Sequence, residues 1–290
     1  MLLRTSRHQV RFPRRPLVMG IVNINDDSFS GDGSLDVNRA IAQAQAFVKA
    51  GADIIDVGGE SARTNRDPIS VVEEISRLTP FVSRFAECHE TVTPVDGEQI
   101  FPPMLSLNTW RPAVLRDLLP LGIDIVNDIG ALADSENAAA AAQFGAALVI
   151  MHSVGQPKVP HLHVPYPDIL NTLDDFFESK IAEASKAGLS REAVILDPGI
   201  DFAKQRPDNL RIIRELTRLT RFERPILLPV SRKTVVGEVL NLPNPQDRDA
   251  GTIACVVAGI QQGASIFRVH NVNAAGLAVR TIWSALGGVR

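Results

Sequence analysis

Short apolar runs rich in β-branched residues alternate along this chain with longer stretches whose apolar residues recur at helical spacing. Such alternation is typical of βα units whose strands form a parallel sheet. The pattern predicts eight strands, at Leu17–Val22, Asp53–Val57, Met104–Leu107, Ile123–Val126, Ala147–Ile150, Val194–Leu196, Ile226–Val230 and Ile266–Val269. It also predicts eight helical stretches, at Asp36–Ala50, Val71–Ala86, Pro112–Leu121, Ser135–Phe144, Asp168–Ala187, Asp208–Leu219, Gln246–Gln262 and Ala274–Ala285.

Eight strands, each followed by a helix, is the number found in a (β/α)8 TIM barrel, which is an α/β fold. An open doubly wound sheet is the alternative, but it rarely needs eight repeats. No stretch has the composition of a linker, so we expect a single domain over residues 17–290. Residues 1–16 form a basic lead-in with five arginines before the first acidic residue. No apolar signal core follows them, so we interpret this segment as a solvated lead-in rather than a targeting segment.

Composition excludes several classes of protein. Of the 290 residues, 45% are hydrophobic and 22% are charged, which is close to the globular average and rules out wholesale disorder. The net charge of −3 argues against a nucleic-acid partner. Cys88 and Cys255 are too few for a disulfide framework or a cysteine-rich zinc site. No apolar run approaches the roughly 18 residues needed to span a membrane, and we expect a cytoplasmic protein without a membrane partner.

Polar side chains follow every predicted strand, at the end where a (β/α)8 barrel carries its active site. Helix caps would explain the Asn and Asp residues among them, but not the cations Lys233, Arg268 and His270 on adjacent strands. Strands seven and eight of this fold commonly hold a phosphate group. These cations therefore predict an anion site, against the alternative that one or two of them form surface ion pairs.

Carboxamides and carboxylates form a second set at the predicted barrel mouth. Asn108, Asn127 and Asp197 follow strands three, four and six. Such groups match the donors and acceptors of a flat heterocycle, and a carboxylate can grip two adjacent N–H groups. Each side chain alone could be satisfied by a neighbour, but three that face one mouth favour ligand binding. Two polar loops, at residues 25–33 and 61–68, are long enough to act as lids.

The ordered motifs resemble the dihydropteroate synthase family over nearly the whole chain, from about Leu17 to Leu286. They occur in the family's order, each at or near a predicted strand end. The matching pieces are Met19-Gly20-Ile21-Val22-Asn23, Asp27-Ser28-Phe29-Ser30, Gly51-Ala52-Asp53-Ile54-Ile55-Asp56-Val57-Gly58-Gly59-Glu60-Ser61, Asn127-Asp128-Ile129, Met151-His152, Leu196-Asp197-Pro198-Gly199, Ser231-Arg232-Lys233 and Arg268-Val269-His270.

This resemblance implies a reaction and a set of roles. The family condenses 6-hydroxymethyl-7,8-dihydropterin diphosphate with 4-aminobenzoate, giving dihydropteroate and pyrophosphate, with Mg2+ as cofactor. It also implies a homodimer as a possible assembly. By resemblance, Asp197, Lys233 and Asn108 would be catalytic, and Asn23 would help to hold the metal. The pterin would contact Asn108, Asn127, Met151, Asp197, Phe202 and Lys233, the diphosphate Asn23, Arg63, Arg268 and His270, and the aminobenzoate Phe29, Ala62, Ser231 and Thr234.

The chain departs from the family pattern at the predicted site. Asn108-Thr109 stands where the family usually has Asp-Thr, and Ala62-Arg63-Thr64-Asn65 stands where it has Thr-Arg-Pro-Gly. A lost negative charge near a cationic intermediate could slow its formation. Two alternative functions stay open at this point: a non-catalytic or altered-substrate pterin-binding paralogue, and a pterin-dependent methyltransferase. The second has no diphosphate to bind, so the predicted anion site counts against it.

Overall fold

The computed structural model describes residues 1–25, 33–61, 67–159 and 164–288. Its strands are β1 (Leu2–Arg4), β2 (Gln9–Arg11), β3 (Leu17–Asn23), β4 (Ile54–Gly58), β5 (Met104–Asn108), β6 (Ile125–Asp128), β7 (Ala147–Met151), β8 (Val194–Asp197), β9 (Leu227–Leu228) and β10 (Ile266–Val269). Its α-helices are α1 (Val37–Lys49), α2 (Val71–Ser83), α3 (Pro112–Leu118), α4 (Glu136–Phe144), α5 (Ile169–Lys186), α6 (Arg206–Arg214), α7 (Thr234–Leu240), α8 (Asp249–Gln261) and α9 (Val272–Ala285).

Eight of these strands form one parallel sheet in the order β8-β7-β6-β5-β4-β3-β10-β9. A parallel bridge between Leu196 and Ile226 joins the two ends of that order, so the sheet closes into a barrel. The strands are buried on both faces, as their continuous apolar sequences require, and the helices pack around them. The predicted single-domain TIM barrel is confirmed.

Local chemistry sets where the helices begin. The side chain of Asp36 accepts hydrogen bonds from Asn38 N and Arg39 N at the start of α1, and the side chain of Ser70 accepts one from Glu73 N at the start of α2. Asp168 caps the 18-residue helix α5 in the same way. These caps orient the chain as it leaves each loop, so the loops at the barrel mouth are anchored at their helical ends.

Two elements of the barrel itself differ from the sequence prediction. The strand predicted at Ile226–Val230 is observed only at Leu227–Leu228, because Pro225 and Pro229 flank it and lack the N–H groups that a sheet needs. The seven-residue helix α7 was not predicted, because its short sequence shows too few turns to reveal a helical period.

The basic lead-in is a folded part of the molecule. β1 and β2 form an antiparallel hairpin whose Leu3 and Val10 are buried. Arg7 donates from Nε to Asp124 Oδ1 at 2.9 Å, just before β6, and the buried Arg15 lies 3.4 Å from Asp53, just before β4. The expectation of a solvated segment is therefore wrong: the hairpin packs against the amino-terminal ends of the barrel strands. In the part of the chain that the structure describes, no helix is long and apolar enough to cross a membrane.

Candidate active site

The carboxyl ends of the barrel strands surround one pocket. Nine of the residues predicted from sequence line it: Asn23, Asn108, Asn127, Met151, Asp197, Phe202, Lys233, Arg268 and His270. They come from β3, β5, β6, β7, β8 and β10 and from the loops that follow β8, β9 and β10. The barrel thus brings together side chains that are separated by up to 247 positions along the chain, from Asn23 to His270.

A buried carboxylate on β4 organises one side of this pocket. Asp56 is fully buried and accepts a hydrogen bond from Ser106 Oγ at 2.6 Å and one from Arg268 Nε at 2.7 Å. Asn127 Nδ2 lies 3.2 Å from both Asp56 oxygens. The amide of Asn127 is thereby fixed, and its buried Oδ1 has no hydrogen-bond partner among the described residues. The pocket therefore offers an oriented acceptor.

The carboxylate at the end of β8 is held differently. Asp197 is 3% exposed, and its Oδ1 accepts a hydrogen bond from Gly199 N at 2.7 Å. Burial raises the pKa of Asp197 to about 6, against the opposing influence of the Gly199 N–H and of the cations Lys233, Lys204 and Arg268. Gly199 has a φ of 69°, and a Cβ there would lie 1.9 Å from the carbonyl oxygen of His152, so only glycine fits this turn.

A buried lysine and histidine lie beside Asp197. Lys204 Nζ is 2.8 Å from His152 Nδ1 and donates to the carbonyl oxygens of His152 and Phe202 at 3.1 Å each. Burial lowers the pKa of Lys204 to about 7 and that of His152 to about 3. The imidazole of His152 is therefore neutral, and its Nδ1 can accept a hydrogen bond from the ammonium group of Lys204. The sequence did not predict this pair, because the two residues are 52 positions apart and only the fold brings them together.

An ammonium group and an aromatic ring meet on the same side. Lys233 Nζ lies 4.5 Å from the centroid of the Phe202 ring, which is within the range of a cation–π interaction. Burial lowers the pKa of Lys233, while Asp201 and Asp197 oppose that shift and Arg268 adds to it. The ring thus holds the ammonium over the pocket, where it can meet an acceptor of a bound heterocycle.

Arg268, which carries a positive charge, and His270 form another side of the site. The Arg268 Nη groups make no hydrogen bond within the described residues, since the interaction with Asp56 uses Nε. His270 is 7% exposed, and Ser231 Oγ lies 2.8 Å from its Nδ1 and accepts from its backbone N–H at 3.0 Å. Ser231 itself does not line the pocket. Its hydroxyl is buried against that ring and supports it, and its role as an aminobenzoate contact stays a prediction.

A second missed group anchors the chain around the loop after β4. Glu60, which lines the pocket, pairs with Arg111 at 2.6 Å and with Lys158 at 3.3 Å, and it accepts a hydrogen bond from Ile69 N at 3.1 Å. Lys158 also donates to the carbonyl oxygen of Ser61 at 3.2 Å. Ser61 and Ile69 are therefore both tied to one carboxylate network.

Some predicted residues lie elsewhere. Thr234 is exposed and lines a neighbouring cavity with Asp201 and Glu238 rather than the main pocket. Phe29, Ala62 and Arg63 lie outside the described residues, so their roles stay predictions. No group of three or more His, Cys, Asp or Glu side chains that could hold a metal occurs among the described residues. The pocket nevertheless offers the carboxamide of Asn23, which fits a Mg2+ ion bound mainly through substrate phosphates.

Comparison with known proteins identifies the family. A sequence model of the family described as "Pterin binding enzyme" matches residues 19–270. Dihydropteroate synthase of Escherichia coli strain K12 is 36% identical over 272 residues, which cover 93% of this chain and 92% of that protein. The chain belongs to the dihydropteroate synthase family. The dihydropteroate synthase of a Synechocystis strain is 38% identical over 263 residues, covering 90% of this chain and 87% of that one.

Solved structures of the dihydropteroate synthase family agree in fold. The Yersinia pestis enzyme in complex with a sulfonamide drug superposes with a TM-score of 0.88 at 35% identity, and the match covers 99% of both chains. Full coverage means that the barrel and the N-terminal hairpin are both within the shared structure.

Proposed function

We propose that this chain is a dihydropteroate synthase, which joins 6-hydroxymethyl-7,8-dihydropterin diphosphate to 4-aminobenzoate and releases pyrophosphate. One observation carries the proposal: an open carboxylate, an oriented amide oxygen and an ammonium converge in a single pocket whose rim carries two more cationic groups. The carboxylate, the amide oxygen and the ammonium suit a flat pterin, and the two groups on the rim suit a diphosphate. The methyltransferase alternative has no use for the cationic rim.

The residues of this chain suit the chemistry of diphosphate loss. Departure of the leaving group places positive charge on the methylene group and the conjugated ring, and the carboxylate of Asp197 would stabilise that charge. The Nη groups of Arg268, which make no hydrogen bond within the described residues, would bind the leaving anion together with His270. Asn127 Oδ1 and Lys233 would hold the ring in register. The arylamine then attacks as a neutral nucleophile, and no strong base is required.

Magnesium is part of the proposal. Asn23 at the end of β3 would supply one oxygen ligand, and the substrate's phosphate oxygens would supply others. When bound, the ion neutralises charge on the departing diphosphate. Arg63 would act as a further anion contact, and Phe29, Ala62 and Thr234 as contacts of the aminobenzoate.

The deciding experiment is pyrophosphate release by the purified protein with dihydropterin diphosphate and Mg2+, with and without 4-aminobenzoate. We expect release that depends on 4-aminobenzoate and yields dihydropteroate. Release without it would instead indicate an ionisation site for another amine. A protein that binds the pterin but releases nothing would be the non-catalytic paralogue.

Asn108 favours the alternative of a non-catalytic or altered-substrate paralogue, and this alternative can be tested directly. Asn108 lines the pocket in register with Asn127, and it stands where the family usually has an aspartate. If the site is a synthase with a weakened charge, Asn108→Asp should preserve or raise turnover. A large loss of turnover in this variant would show that the asparagine suits another ligand.

We further propose a homodimer in the cytoplasm. Leu210, Val239 and Leu240 are exposed apolar side chains beside an apolar cavity between α6, α7 and α8. A second copy of this chain would cover them. Cys88 and Cys255 are free thiols, and burial raises the pKa of Cys88 to about 12, which agrees with unreactive thiols in a reducing compartment. Sedimentation should show a dimer that Val239→Glu dissociates.

A further inference from the structure

Asp201 holds an uncommon backbone conformation beside the site. Its φ is 65°, in the left-handed region that side chains other than glycine seldom adopt. Asn209 holds it there, because its Oδ1 accepts from Asp201 N at 2.9 Å and its Nδ2 donates to Asp201 Oδ1 at 3.1 Å. These two hydrogen bonds therefore fix the direction of the Asp201 carboxylate.

The carboxylate of Asp201 is directed at Thr234. It accepts a hydrogen bond from Thr234 N and lies 3.3 to 3.4 Å from Val235 N. The cavity on this side also carries the carboxylate of Glu238 and the cations Lys204 and Arg206. Lys204 donates to His152, and Arg206 is exposed, while the charge of Asp201 also acts on the ammonium groups of Lys204 and Lys233. The backbone N–H of Thr234 is thus already used by a carboxylate of the chain itself.

We propose that Asp201 is a specificity-determining residue for the arylamine: its fixed negative charge beside Thr234 disfavours an anionic arylamine relative to an uncharged one of the same shape. The inference rests on the proposed function, in which Thr234 meets the carboxylate of 4-aminobenzoate. Two carboxylates that compete for one N–H group repel each other, and the substrate's carboxylate loses a hydrogen bond as well.

The test compares 4-aminobenzoate with the uncharged 4-aminobenzamide as substrates, and its readout is the ratio of their kcat/KM values. Asp201→Asn removes the charge while its amide oxygen can still accept from Thr234 N, and asparagine tolerates this φ. Asp201→Gly removes both the charge and the acceptor. Ala203→Gly is the matched control, because Ala203 lies in the same loop, has a φ of 52° and carries no charge.

We expect Asp201→Asn to raise the ratio in favour of 4-aminobenzoate by about tenfold, as for a like charge removed at close range. Asp201→Gly should raise it further, because the Thr234 N–H becomes available, and Ala203→Gly should leave it unchanged. In the unaltered protein the ratio should rise with added salt, which screens the repulsion.

An unchanged ratio in Asp201→Asn would overturn the inference and leave Asp201 as a structural cap. Equal losses for both amines would do the same. Calorimetric binding of the two arylamines, with pyrophosphate and pterin present, measures the preference without turnover. Absence of turnover with either amine would therefore count against the proposed function, while the binding ratio would still decide the role of Asp201.

Discussion

Two buried carboxylates at the barrel mouth, Asp56 and Asp197, are held in opposite ways. Asp56 accepts hydrogen bonds from Ser106, Asn127 and Arg268, so its acceptor capacity is used within the protein. Asp197 accepts one, from Gly199 N, among the residues that the structure describes, although three cationic side chains influence it. The saturated carboxylate fixes its neighbours, whereas the open one is left for a ligand.

The open carboxylate of Asp197 lowers the free energy of unfolding at neutral pH. Its pKa rises from 3.8 to about 6, so the folded state holds the proton more tightly than an unfolded chain does. The contribution of Asp197 to the free energy of unfolding therefore decreases as the pH rises from about 4 to about 6. A group that is kept despite this penalty is a strong candidate for function.

The largest effect should come from removing the charge of the open carboxylate. We expect Asp197→Asn to lower kcat for pyrophosphate release by about 100-fold or more, because a preorganised charge is lost where positive charge develops. The fold should be retained, since the amide oxygen can still accept from Gly199 N. Asp175→Asn, an exposed acid on α5, is the control. Equal rates for the two variants would remove Asp197 from the catalytic set.

Removing the charge of the saturated carboxylate should act mainly on stability. Asp56→Asn should lower the free energy of unfolding by about 2 kcal/mol. The substitution removes the charge that holds the buried hydrogen bonds together, and it places the NH2 group of the new asparagine against side chains that are themselves donors. Asp249→Asn breaks a pair with Arg232 at a similar 2.7 Å but with a side chain 28% exposed, and should lower it by less. Denaturant unfolding measures both, and equal losses would contradict the contrast.

The pH dependence of activity should sharpen the comparison. If Asp197 acts as a carboxylate, as proposed, kcat/KM should fall as the pH drops through about 6. The positive charge of Lys204 lowers the pKa of Asp197, so Lys204→Met should move this acid limb to higher pH. Lys204→Arg should restore it in part, and Lys186→Met on α5 should not move it. A purely structural role for Lys204 would reduce activity equally at every pH.

The smallest effect should come from the aromatic wall. Phe202→Leu keeps an apolar contact but removes the ring beneath Lys233. A cation–π interaction at a partly exposed site is worth about 0.5–1 kcal/mol, so KM for the pterin substrate should rise about two- to fivefold. Steady-state kinetics measure this change. A loss in kcat instead would mean that the ring acts on the reacting atoms rather than on binding.

The sequence was sufficient for the barrel and for most of the pocket. Strand ends in this fold converge, so Asn108, Asn127, Asp197, Arg268 and His270 could be grouped before any coordinates. Hydrogen-bond assignments could not be predicted in the same way. The role predicted for Ser231 gave no indication that its hydroxyl lies 2.8 Å from His270 Nδ1.

Residues that act through packing were the ones missed. Asp56 belongs to the family-like segment at residues 51–61. Its contact with Ser106 depends on the register between β4 and β5, which the sequence does not reveal. Lys204 and His152 are 52 positions apart, and no local pattern announces their contact. The N-terminal hairpin was misjudged for the same reason, because Arg7 and Arg15 look solvated until Asp124 and Asp53 are brought to them.

The barrel closes between β8 and β9, and this junction, called the seam here, has few backbone hydrogen bonds and lies beneath the site. β9 contributes two residues, and within the described chain it meets β8 through the bridge at Leu196 and a hydrogen bond from Leu196 N to the carbonyl oxygen of Pro225 at 2.9 Å. Opening fluctuations concentrate where backbone hydrogen bonds are few. Asp197 and Lys233 lie on opposite sides of this seam. A ligand bound by both residues would therefore link the two strands and stabilise their junction. We expect substrate binding to slow amide exchange at Leu196 more than at Leu148 in the middle of the sheet.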